Sequence, residues 1–343
     1  MELRTLEYIV ELAIGSRTGW FCLCVTLLPL AVALLEEWFV WQVTACGNPA
    51  GVSSPRRLFC LRILFGRTRA RCFGAVAETW LPTAIRSPIY RLFSWVCGCN
   101  LDEVDGALDS FPSLSDFFCR SLREGLRPID DLPTGLVSPV DGRVLTIGTV
   151  DKPNARVEQV KGTTYSVRGF LGFDPTEAKA PGSTILYAVV YLSPGDYHRV
   201  HAPCDCLIDK ARHFSGELLP VGGLPQFMHD VFSVNERLVL SGTWRYGPMH
   251  LAAVGAANVG NIYLCFDPAL RTNTARSPTV HIGGDVSSKT YPGGVGLNAG
   301  DTLGGFRLGS TVVIVFEAPS GFEWRVERGS KVRLGEPLGQ VLA

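Results

Sequence analysis

One stretch decides how this chain folds: residues 304–319, which read GGFRLGSTVVIVFEAP. Its second half, from Val312 to Pro319, is a run of β-branched and aromatic residues closed by a proline. Such a run predicts a buried strand. The residues just before this strand carry the first hint of chemistry.

Gly309 and Ser310 stand where a plain glycine turn would simply lead into the strand. A serine held at the tight start of a rigid strand can bring its hydroxyl to the preceding glycine carbonyl. Glycine also allows strained backbone angles that help to break the bond between the two residues. The alternative is an ordinary Gly-Ser-Thr turn before a core strand. Taken alone, the stretch favours the ordinary turn, and other parts of the chain favour the chemistry.

The composition of the 343 residues limits the classes of function. Lys and Arg total 32 and Asp and Glu total 32, so the chain lacks the basic excess of a nucleic-acid-binding protein. The 11 cysteines are an odd number, with no Cys-x-x-Cys pair and no Asn-x-Ser/Thr acceptor in the chain. These features predict reduced thiols in a protein that does not pass through a secretory lumen. From the balanced charge we expect no nucleic-acid partner.

Residues 1–104 predict a helical region that faces a membrane. The most hydrophobic stretch is 20–35, and a helix extended to Val43 would be long enough to span a bilayer. Residues 56–71 then carry six arginines and no acid, interleaved with apolar side chains. That pattern suits an anionic bilayer surface. The alternatives are a buried amphipathic helix for the first stretch and a solvated helix face for the second.

Two further helical signals lie before the β-rich part of the chain. Trp80 to Trp95 contains Pro82 and Pro88, which predicts a broken helix at best. Phe117 to Arg123 predicts a short helix, ended by Arg127-Pro128-Ile129.

From Leu136 onward the chain reads as short strands between turns rich in Gly, Pro and Asp. The clearest strands are Ile185–Leu192, His250–Ala256, Asn261–Phe266 and Thr311–Glu317. Thr272 to Gly300, rich in Gly, Ser, Thr and Asn, predicts a long surface loop. Because strands and helices do not alternate, we predict an α+β, mainly β protein. It has a catalytic β-sandwich or barrel-like domain over residues 105–343, preceded by the helical, membrane-facing region over 1–104.

Candidate catalytic side chains lie in two stretches outside the Gly-Ser turn. Asp141 stands in Ser-Pro-Val-Asp-Gly, a tight turn between two predicted strands. His198 and His201 stand in Tyr-His-Arg-Val-His, directly after a predicted buried strand. An acid, a histidine and a serine at separate strand ends are the parts of a nucleophile, a base and an orienting group. Considered singly, Asp141 reads as a turn former and His201 as a satisfied core histidine.

Two competing motifs carry less weight. The spacing of His198, His201, Cys204 and Cys206 could be drawn as a zinc site, but a proline intervenes and a second ligand pair is missing. Residues 294–299 imitate a dinucleotide fingerprint without the strand–turn–helix context that this motif needs. We expect no metal ion in the site.

Three of these stretches follow one another in a fixed order: Ser-Pro-Val-Asp-Gly at 138–142, Tyr-His-Arg-Val-His at 197–201 and Phe-x-Leu-Gly-Ser-Thr at 306–311. In order and spacing they resemble the phosphatidylserine decarboxylase family. Two more stretches are similar to signatures of that family: Phe-Phe-x-Arg-x-Leu at 117–122 with the following Arg127-Pro128-Ile129, and Asn-Glu-Arg at 235–237. The resemblance covers about residues 105–343, and residues 1–104 match no motif of the family.

The resemblance implies a proenzyme that cuts itself between Gly309 and Ser310. Asp141 would orient His201, and His201 would deprotonate the Ser310 hydroxyl, whose oxygen attacks the Gly309 carbonyl and forms an ester. Loss of the Ser310 α-proton then frees the upstream chain by β-elimination. The dehydroalanine left behind hydrolyses to a pyruvoyl group. The products are a β chain that ends at Gly309 and an α chain of residues 310–343.

The resemblance also implies the reaction of the mature enzyme. The pyruvoyl group, covalently derived from Ser310, forms a Schiff base with the substrate amine and supplies an electron sink that ordinary side chains lack. No pyridoxal phosphate is then needed. His198 is expected to assist decarboxylation or to protonate the product carbanion, because histidine titrates near working pH. The substrate would be phosphatidylserine in a membrane and the product phosphatidylethanolamine.

Other classes of protein remain open. A Ser/His/Asp lipid hydrolase would keep Ser310 intact, a pyruvoyl decarboxylase of a soluble amino acid would share the cofactor, and a membrane-bound β-domain would have no activity. We expect a location at the mitochondrial inner membrane, with an ER or Golgi membrane or a bacterial inner membrane as alternatives. The α and β chains of one precursor would stay together, and a homodimer is left open.

Overall fold

The computed structural model of this chain describes residues 74–150, 156–160, 163–176, 180–216, 218, 231–256, 260–270, 272–273, 286–307 and 311–342. Gly309 and Ser310 lie outside these residues, as do the predicted membrane-contacting stretches 20–43 and 56–71. Within the described ranges, no helix has both the length and the apolar character needed to cross a bilayer.

Helices are few and short in the described part of the chain. They are α1 (Thr83–Cys97), α2 (Leu114–Phe118), α3 (Val167–Leu171) and α4 (Val231–Val234), with 3-10 turns at Leu101–Glu103 and Leu108–Ser110 and a helical turn over residues 74–77. The expectation of a broken helix around Pro88 is wrong, because α1 continues through it. Pro82 occupies the N-cap position of α1, and Pro88 lies on the exposed side of the helix, where it removes a single backbone hydrogen bond.

Helix α2 begins and ends earlier than the predicted Phe117–Arg123 helix. Its start is capped by Ser113, whose hydroxyl accepts a hydrogen bond from the backbone N–H of Asp116 at 3.1 Å. Beyond Phe118 the side chains make tertiary contacts. The guanidinium of Arg120, for example, donates to the carbonyl oxygen of Gly195 at 3.0 Å.

Strands make up most of the described structure from residue 135 onward. They are β1 (Gly135–Val137), β2 (Gly142–Thr149), β3 (Arg156–Val160), β4 (Thr163–Ser166), β5 (Ser183–Tyr191), β6 (Arg199–His201), β7 (Cys206–Phe214), β8 (Arg237–Trp244), β9 (Gly247–Val254), β10 (Ile262–Leu264), β11 (Val286–Leu297), β12 (Thr302–Phe306), β13 (Thr311–Pro319), β14 (Phe322–Trp324), β15 (Lys331–Val332) and β16 (Pro337–Val341). The mainly β prediction is confirmed.

Eight of these strands form one antiparallel sheet in the order β11-β7-β8-β9-β13-β5-β2-β15. Two smaller sheets, β1-β16-β14 and β10-β12-β6, contribute side chains to the apolar cluster on one face of it. Helices α3 and α4 contribute to the cluster on the other face. The eight-stranded sheet therefore lies between two apolar layers.

Strand β13 lies inside the large sheet, and its position accounts for its apolar sequence. It pairs with β5 along its whole length and with β9 from Thr311 to Phe316. Val312, Ile314 and Phe316 belong to the cluster on one face, and alternate residues Val313 and Val315 belong to the other. A strand that buries both faces reads as a continuous apolar run, which is why the sequence signal is so clear.

The predicted surface loop from Thr272 to Gly300 is wrong over residues 286–297. These residues form β11, which pairs antiparallel with β7 at the edge of the large sheet. The strand is mostly exposed, so its side chains show no apolar alternation. Its pairing shifts register between Thr290 and Val295, where Gly293 and Gly294 have positive φ. An exposed, glycine-containing edge strand resembles a loop in sequence because tertiary pairing, not composition, defines it.

Helix α1 packs against residues on the other side of the predicted boundary at residues 104/105. The ring of Tyr90 stacks on that of Phe117, with centroids 4.6 Å apart. The buried guanidinium of Arg86 donates to the carbonyl oxygens of Leu81 and Asp109. The division into regions 1–104 and 105–343 stays a prediction, and the described end of the first region contacts the second.

Candidate active site

Two of the candidate catalytic residues lie on one short segment made by a tight turn and strand β6. The carboxylate of Asp196 accepts a hydrogen bond from the backbone N–H of Ser193 at 2.7 Å, and the Asp196 N–H donates to the Ser193 carbonyl at 2.9 Å. This turn directs the next residues inward, so that Tyr197, His198 and His201 are all buried. An aspartate that bonds nearby backbone is a usual way to define such a turn.

His198 is fully buried and electrically neutral near pH 7. Its Nδ1 lies 2.8 Å from the carbonyl oxygen of Asp196. A carbonyl can only accept, so Nδ1 carries the proton. The other nitrogen, Nε2, has no hydrogen-bond partner among the described residues. Burial lowers the pKa of His198 to about 3, and the ring of Phe118 lies 4.0 Å from the imidazole. The site therefore contains an unprotonated basic nitrogen next to an aromatic wall.

His201 lies between a carbonyl and a phenol. Its Nδ1 is 2.7 Å from the carbonyl oxygen of Gly300, and its Nε2 is 3.1 Å from the Tyr197 hydroxyl. Burial lowers the pKa of His201, and the bond to Gly300 opposes this shift. Burial also raises the pKa of Tyr197 to about 12, so its hydroxyl keeps its proton and can donate to Nε2. His201 is thus a neutral base with its lone pair on Nε2.

Asp141 does not hydrogen-bond to His201 in the described structure. Its two carboxylate oxygens accept from the guanidinium of Arg127, at 2.6 Å for the shortest contact, and from the backbone N–H of Leu334 at 2.8 Å. The carboxylate is nevertheless near enough to His201 to favour its protonated form by charge. The direct Asp–His contact of a triad is therefore replaced here by the Gly300 carbonyl.

The chain on the two sides of residues 308–310 is held by different sheets. On one side, β12 pairs with β6, with Thr302 opposite His201, and the N–H of Phe306 donates to the carbonyl of His198 at 3.0 Å. On the other side, fully buried Thr311 begins β13 in the large sheet. Ser310 lies outside the described residues, but the peptide link places its Cα about 3.8 Å from that of Thr311. The candidate cleavage position therefore follows a strand that is paired with the histidine strand.

Strand β12 approaches its neighbours so closely that only glycine is accommodated. A Cβ on Gly304 would lie 2.0 Å from the carbonyl oxygen of Tyr263, and one on Gly305 would lie 2.8 Å from that of His198. Any side chain at these positions would push β12 away from the strands that carry the histidine and the tyrosine. The two glycines thus keep the segment before the candidate cleavage position against His198.

Residues after α2 support both the histidine turn and strand β12. The thiol of Cys119 donates to the carbonyl of Phe306 at 3.0 Å, and Nη2 of Arg120 donates to the carbonyl of Gly195 at 3.0 Å. The guanidinium of Arg199 bonds back to the Cys119 carbonyl at 2.9 Å. The sequence pattern Phe-Phe-x-Arg therefore acts as a brace around the site.

Sequence reasoning missed several of the residues that surround the candidates. Arg127 lies in the motif Arg127-Pro128-Ile129, and Tyr197 directly precedes His198, but the sequence assigns neither residue a role. Neither Gly300 nor Glu103 belongs to a recognisable sequence motif. Only folding brings the Gly300 carbonyl to His201 and the Glu103 carboxylate to Arg127. The positive φ of 86° at Gly300 explains why a glycine stands there.

The order of these elements matches one known family. A family model described as phosphatidylserine decarboxylase matches residues 114–340. The chain belongs to the phosphatidylserine decarboxylase family. The matched residues include all the motifs from Phe-Phe-x-Arg to the strand that follows the candidate cleavage position, and they begin after the whole of the predicted membrane-facing region, residues 1–104.

Individual members of the family are similar over most of this chain. Phosphatidylserine decarboxylase proenzyme 1, mitochondrial, of Toxoplasma gondii is 42% identical over 340 residues, covering 98% of this chain and 79% of the relative. The phosphatidylserine decarboxylase proenzyme of Plasmodium falciparum is 35% identical over 335 residues, covering 95% and 92%. The mitochondrial proenzyme of Cricetulus griseus is 39% identical over 297 residues, covering 80% and 72%.

A metal ion has no evident place in the described structure. No three His, Cys, Asp or Glu side chains of the described residues come close enough together to hold one. The Nδ1 atoms of His198 and His201 are occupied by carbonyl oxygens. That the reaction needs neither a metal nor pyridoxal phosphate stays a prediction.

Proposed function

We propose that this chain is a self-cleaving proenzyme whose mature form decarboxylates phosphatidylserine to phosphatidylethanolamine. The observation that carries the proposal is the family match over residues 114–340, which includes two buried histidines bonded to the strand before the cleavage position. The relatives are named both as decarboxylases and as proenzymes. Their names support the substrate and the maturation step together.

In the cleavage step we assign His201 as the base and Ser310 as the nucleophile. His201 is neutral with its lone pair on Nε2, which is the form a general base needs. The Tyr197 hydroxyl occupies that lone pair in the present arrangement. We expect the Ser310 hydroxyl to replace it, after which the serine oxygen attacks the Gly309 carbonyl. Asp141 favours the imidazolium that forms, through its charge.

The described flanks of the cleavage position suit a cofactor made from the chain itself. After a cut between Gly309 and Ser310, β12 stays paired with β6 and β10, and β13 stays paired with β5 and β9. A pyruvoyl group at residue 310 would therefore be held by the buried strand that follows it. Such a group supplies a ketone that withdraws electrons from the substrate carbon that loses its carboxylate.

His198 is assigned to proton transfer in the mature enzyme. Its Nε2 is unprotonated and has no partner among the described residues, and its Nδ1–H donates to the Asp196 carbonyl. With a pKa of about 3 it carries no extra proton near neutral pH. Any proton that it delivers to the product must therefore first be taken up during the reaction. Phe118 keeps water from the imidazole on one side.

A lipid substrate requires the site to lie close to a membrane, and helix α1 has a surface that suits one. Leu92, Trp95 and Val96 are exposed on one side of α1, with Trp95 82% exposed. The end of this helix touches the histidine turn at Gly195. We propose that residues 1–104 face the membrane. The word mitochondrial in the names of several relatives supports a location in that organelle, and we propose its inner membrane.

The proposal is tested by intact-mass measurement of the purified protein. The wild-type chain should give two polypeptides, residues 1–309 and 310–343, the smaller one lighter than its unmodified sequence by the mass of ammonia. Ser310→Ala should remain one chain without decarboxylase activity. Ser320→Ala, an exposed serine in the same segment, should mature normally.

The rival functions give different results in the same preparation. A single full-length chain with esterase activity would indicate the lipid hydrolase. Two chains that release carbon dioxide from free serine but not from phosphatidylserine vesicles would indicate a decarboxylase of a soluble amino acid. Either result would overturn the proposed function.

A further inference from the structure

Three charged side chains form a continuous ion-pair chain beside the site. The Arg127 guanidinium lies 2.6 Å from a carboxylate oxygen of Glu103 and 2.6 Å from one of Asp141. The side chains of Arg127 and Asp141 are only 9% and 10% exposed. They come from three separate segments: a 3-10 turn after α1, the segment after α2, and the turn before β2. These two ion pairs thus link the N-terminal part of the protein to Asp141.

Arg127 holds Asp141 with a geometry that other residues cannot supply. Its Nε and Nη2 both donate to the carboxylate, at 3.0 and 2.6 Å. A planar guanidinium fork fits a carboxylate in this two-point way, whereas a lysine ammonium binds as a point charge. Together with the backbone N–H of Leu334, these contacts fix where the carboxylate can lie.

The same segment also contacts the group that orients His201. A Cβ on Gly300 would lie 2.6 Å from Cγ1 of Ile129, so Ile129 packs directly against the residue whose carbonyl receives His201 Nδ1. Residues 127–129 therefore touch both the acid and the carbonyl partner of the base. The Arg127-Pro128-Ile129 motif therefore has contacts with both groups.

We propose that Arg127 is a positioning residue for self-cleavage, which holds the Asp141 carboxylate in place and sets the net charge that His201 experiences. The inference rests on the proposed function, because it assigns a task within the cleavage step. Among the described residues, the Arg127 guanidinium bonds to the carboxylates of Asp141 and Glu103 and to the Leu126 carbonyl. It acts through Asp141.

The charge balance gives the inference a signed consequence. The groups that face His201 are Asp141, Arg199, Asp301 and the Tyr197 hydroxyl, with the Thr302 hydroxyl 3.5 Å from Nδ1. Removing the Arg127 cation leaves Asp141 and Glu103 without their shared counter-ion. Negative charge near an imidazole favours its protonated form, so the base stays protonated to a higher pH. Cleavage then fails at a higher pH than in the wild type.

The experiment follows cleavage of full-length precursor made by cell-free synthesis and transferred to buffers from about pH 5 to pH 9, the range in which histidine titrates. Wild type, Ser310→Ala, Arg127→Gln, Arg127→Lys and Glu103→Gln are compared. Arg123→Gln is the matched control, because Arg123 is exposed and its guanidinium donates to the Val104 carbonyl rather than to a carboxylate. The rate at the plateau and the midpoint of the acid limb are measured for each.

We expect Arg127→Gln to cut at least roughly tenfold more slowly at the plateau, with the acid midpoint raised by about half a pH unit or more. Arg127→Lys should keep the wild-type midpoint, because it keeps the charge, and lose rate, because it loses the fork. Glu103→Gln removes an anion and should move the midpoint in the opposite direction to Arg127→Gln. Arg123→Gln should behave as wild type.

Three results would overturn the inference: Arg127→Gln cutting at the wild-type rate, Arg127→Gln cutting slowly with an unshifted midpoint, or Glu103→Gln shifting the midpoint upward. The second of these would assign Arg127 to stability alone. If Arg127→Gln fails to fold, the Arg127→Lys and Glu103→Gln profiles decide the matter. A wild-type chain that does not cut itself would instead contradict the proposed function, so the two failures can be told apart.

Discussion

His198 and His201 lie three residues apart in sequence, yet their surroundings give them different chemistry. His201 has both ring nitrogens engaged, one by a carbonyl and one by a phenol. His198 has one nitrogen engaged and one without a partner among the described residues. A base that must be oriented for one intramolecular attack differs in this way from a base that must exchange protons with a bound substrate.

This difference predicts separate defects for the two histidines. His201→Ala should leave the precursor uncut, because no other imidazole of the described residues is bonded to the Gly300 carbonyl. His198→Ala should still cut itself but lose at least roughly a hundredfold in decarboxylation, the usual range for removal of a proton-transfer group. Gel analysis of chain number together with carbon dioxide release checks both. An uncut His198→Ala protein would contradict this division.

The role of Asp141 is the residue-level point that the structure changes most. The sequence suggested that it orients His201, and that role stays a prediction. In the described structure the Asp141 carboxylate is bound by Arg127 and by the backbone N–H of Leu334. The influence of Asp141 on His201 is therefore electrostatic. Asp141→Asn keeps the size of the side chain and removes the charge. We expect it to block cutting for that reason.

At the scale of elements, β13 connects the cofactor position to the core. It is completely paired with β5 and buries both faces. Residues 310–343 should therefore stay bound after cleavage without any covalent link. The strand supplies, in one element, both the anchor of the cofactor and the attachment of the small chain.

Phe316→Ala tests this anchoring. Phe316 is 1% exposed and packs edge-on against Trp244, Phe322 and Trp324. Removing its ring should cost about 3–5 kcal/mol of unfolding free energy. With an affinity tag on the large chain, the small chain should be lost at lower urea concentration than in wild type. Glu323→Ala, an exposed change in the same small chain, serves as the control and should release it at the wild-type concentration.

Elements defined by pairing alone were the ones that sequence reasoning predicted badly. Residues 286–297 look like a loop because an exposed edge strand has no apolar period. Helix α1 looked broken because a proline inside a helix is costly on its own, yet packing of Tyr90 on Phe117 stabilises the continuous helix. In both cases the decisive contacts are with distant parts of the chain.

For the whole molecule, buried histidines make the fold sensitive to acid. Burial lowers the pKa of His250 to about 4 and of His198 to about 3, below the value of about 6.5 expected when unfolded. The unfolded chain then binds more protons as the pH falls, so stability is complete above the unfolded pKa and is lost below it. The relevant window lies between about pH 7 and pH 3.

His250→Phe isolates part of this effect away from the site. His250 packs against the ring of Phe173 at 4.8 Å, and its Nδ1 has no partner among the described residues. Between about pH 7.5 and pH 5 this variant should lose about 1–2 kcal/mol less unfolding free energy than wild type. Urea unfolding at the two pH values measures this. Phe173→Leu changes the same contact but keeps the titrating group, His250. The unfolding free energy that this variant loses between the two pH values should therefore equal that of wild type.

The sequence by itself determined the mainly β class, the central buried strand and the family, because each depends on local patterns of residues. An apolar run and motifs in a fixed order can both be recognised in the sequence without any knowledge of contacts. Tertiary structure alone decided that the Gly300 carbonyl and the Tyr197 hydroxyl hold His201 and that Arg127 holds Asp141. These partners are far apart in the chain, and hydrogen bonds and ion pairs depend on distances that only folding creates.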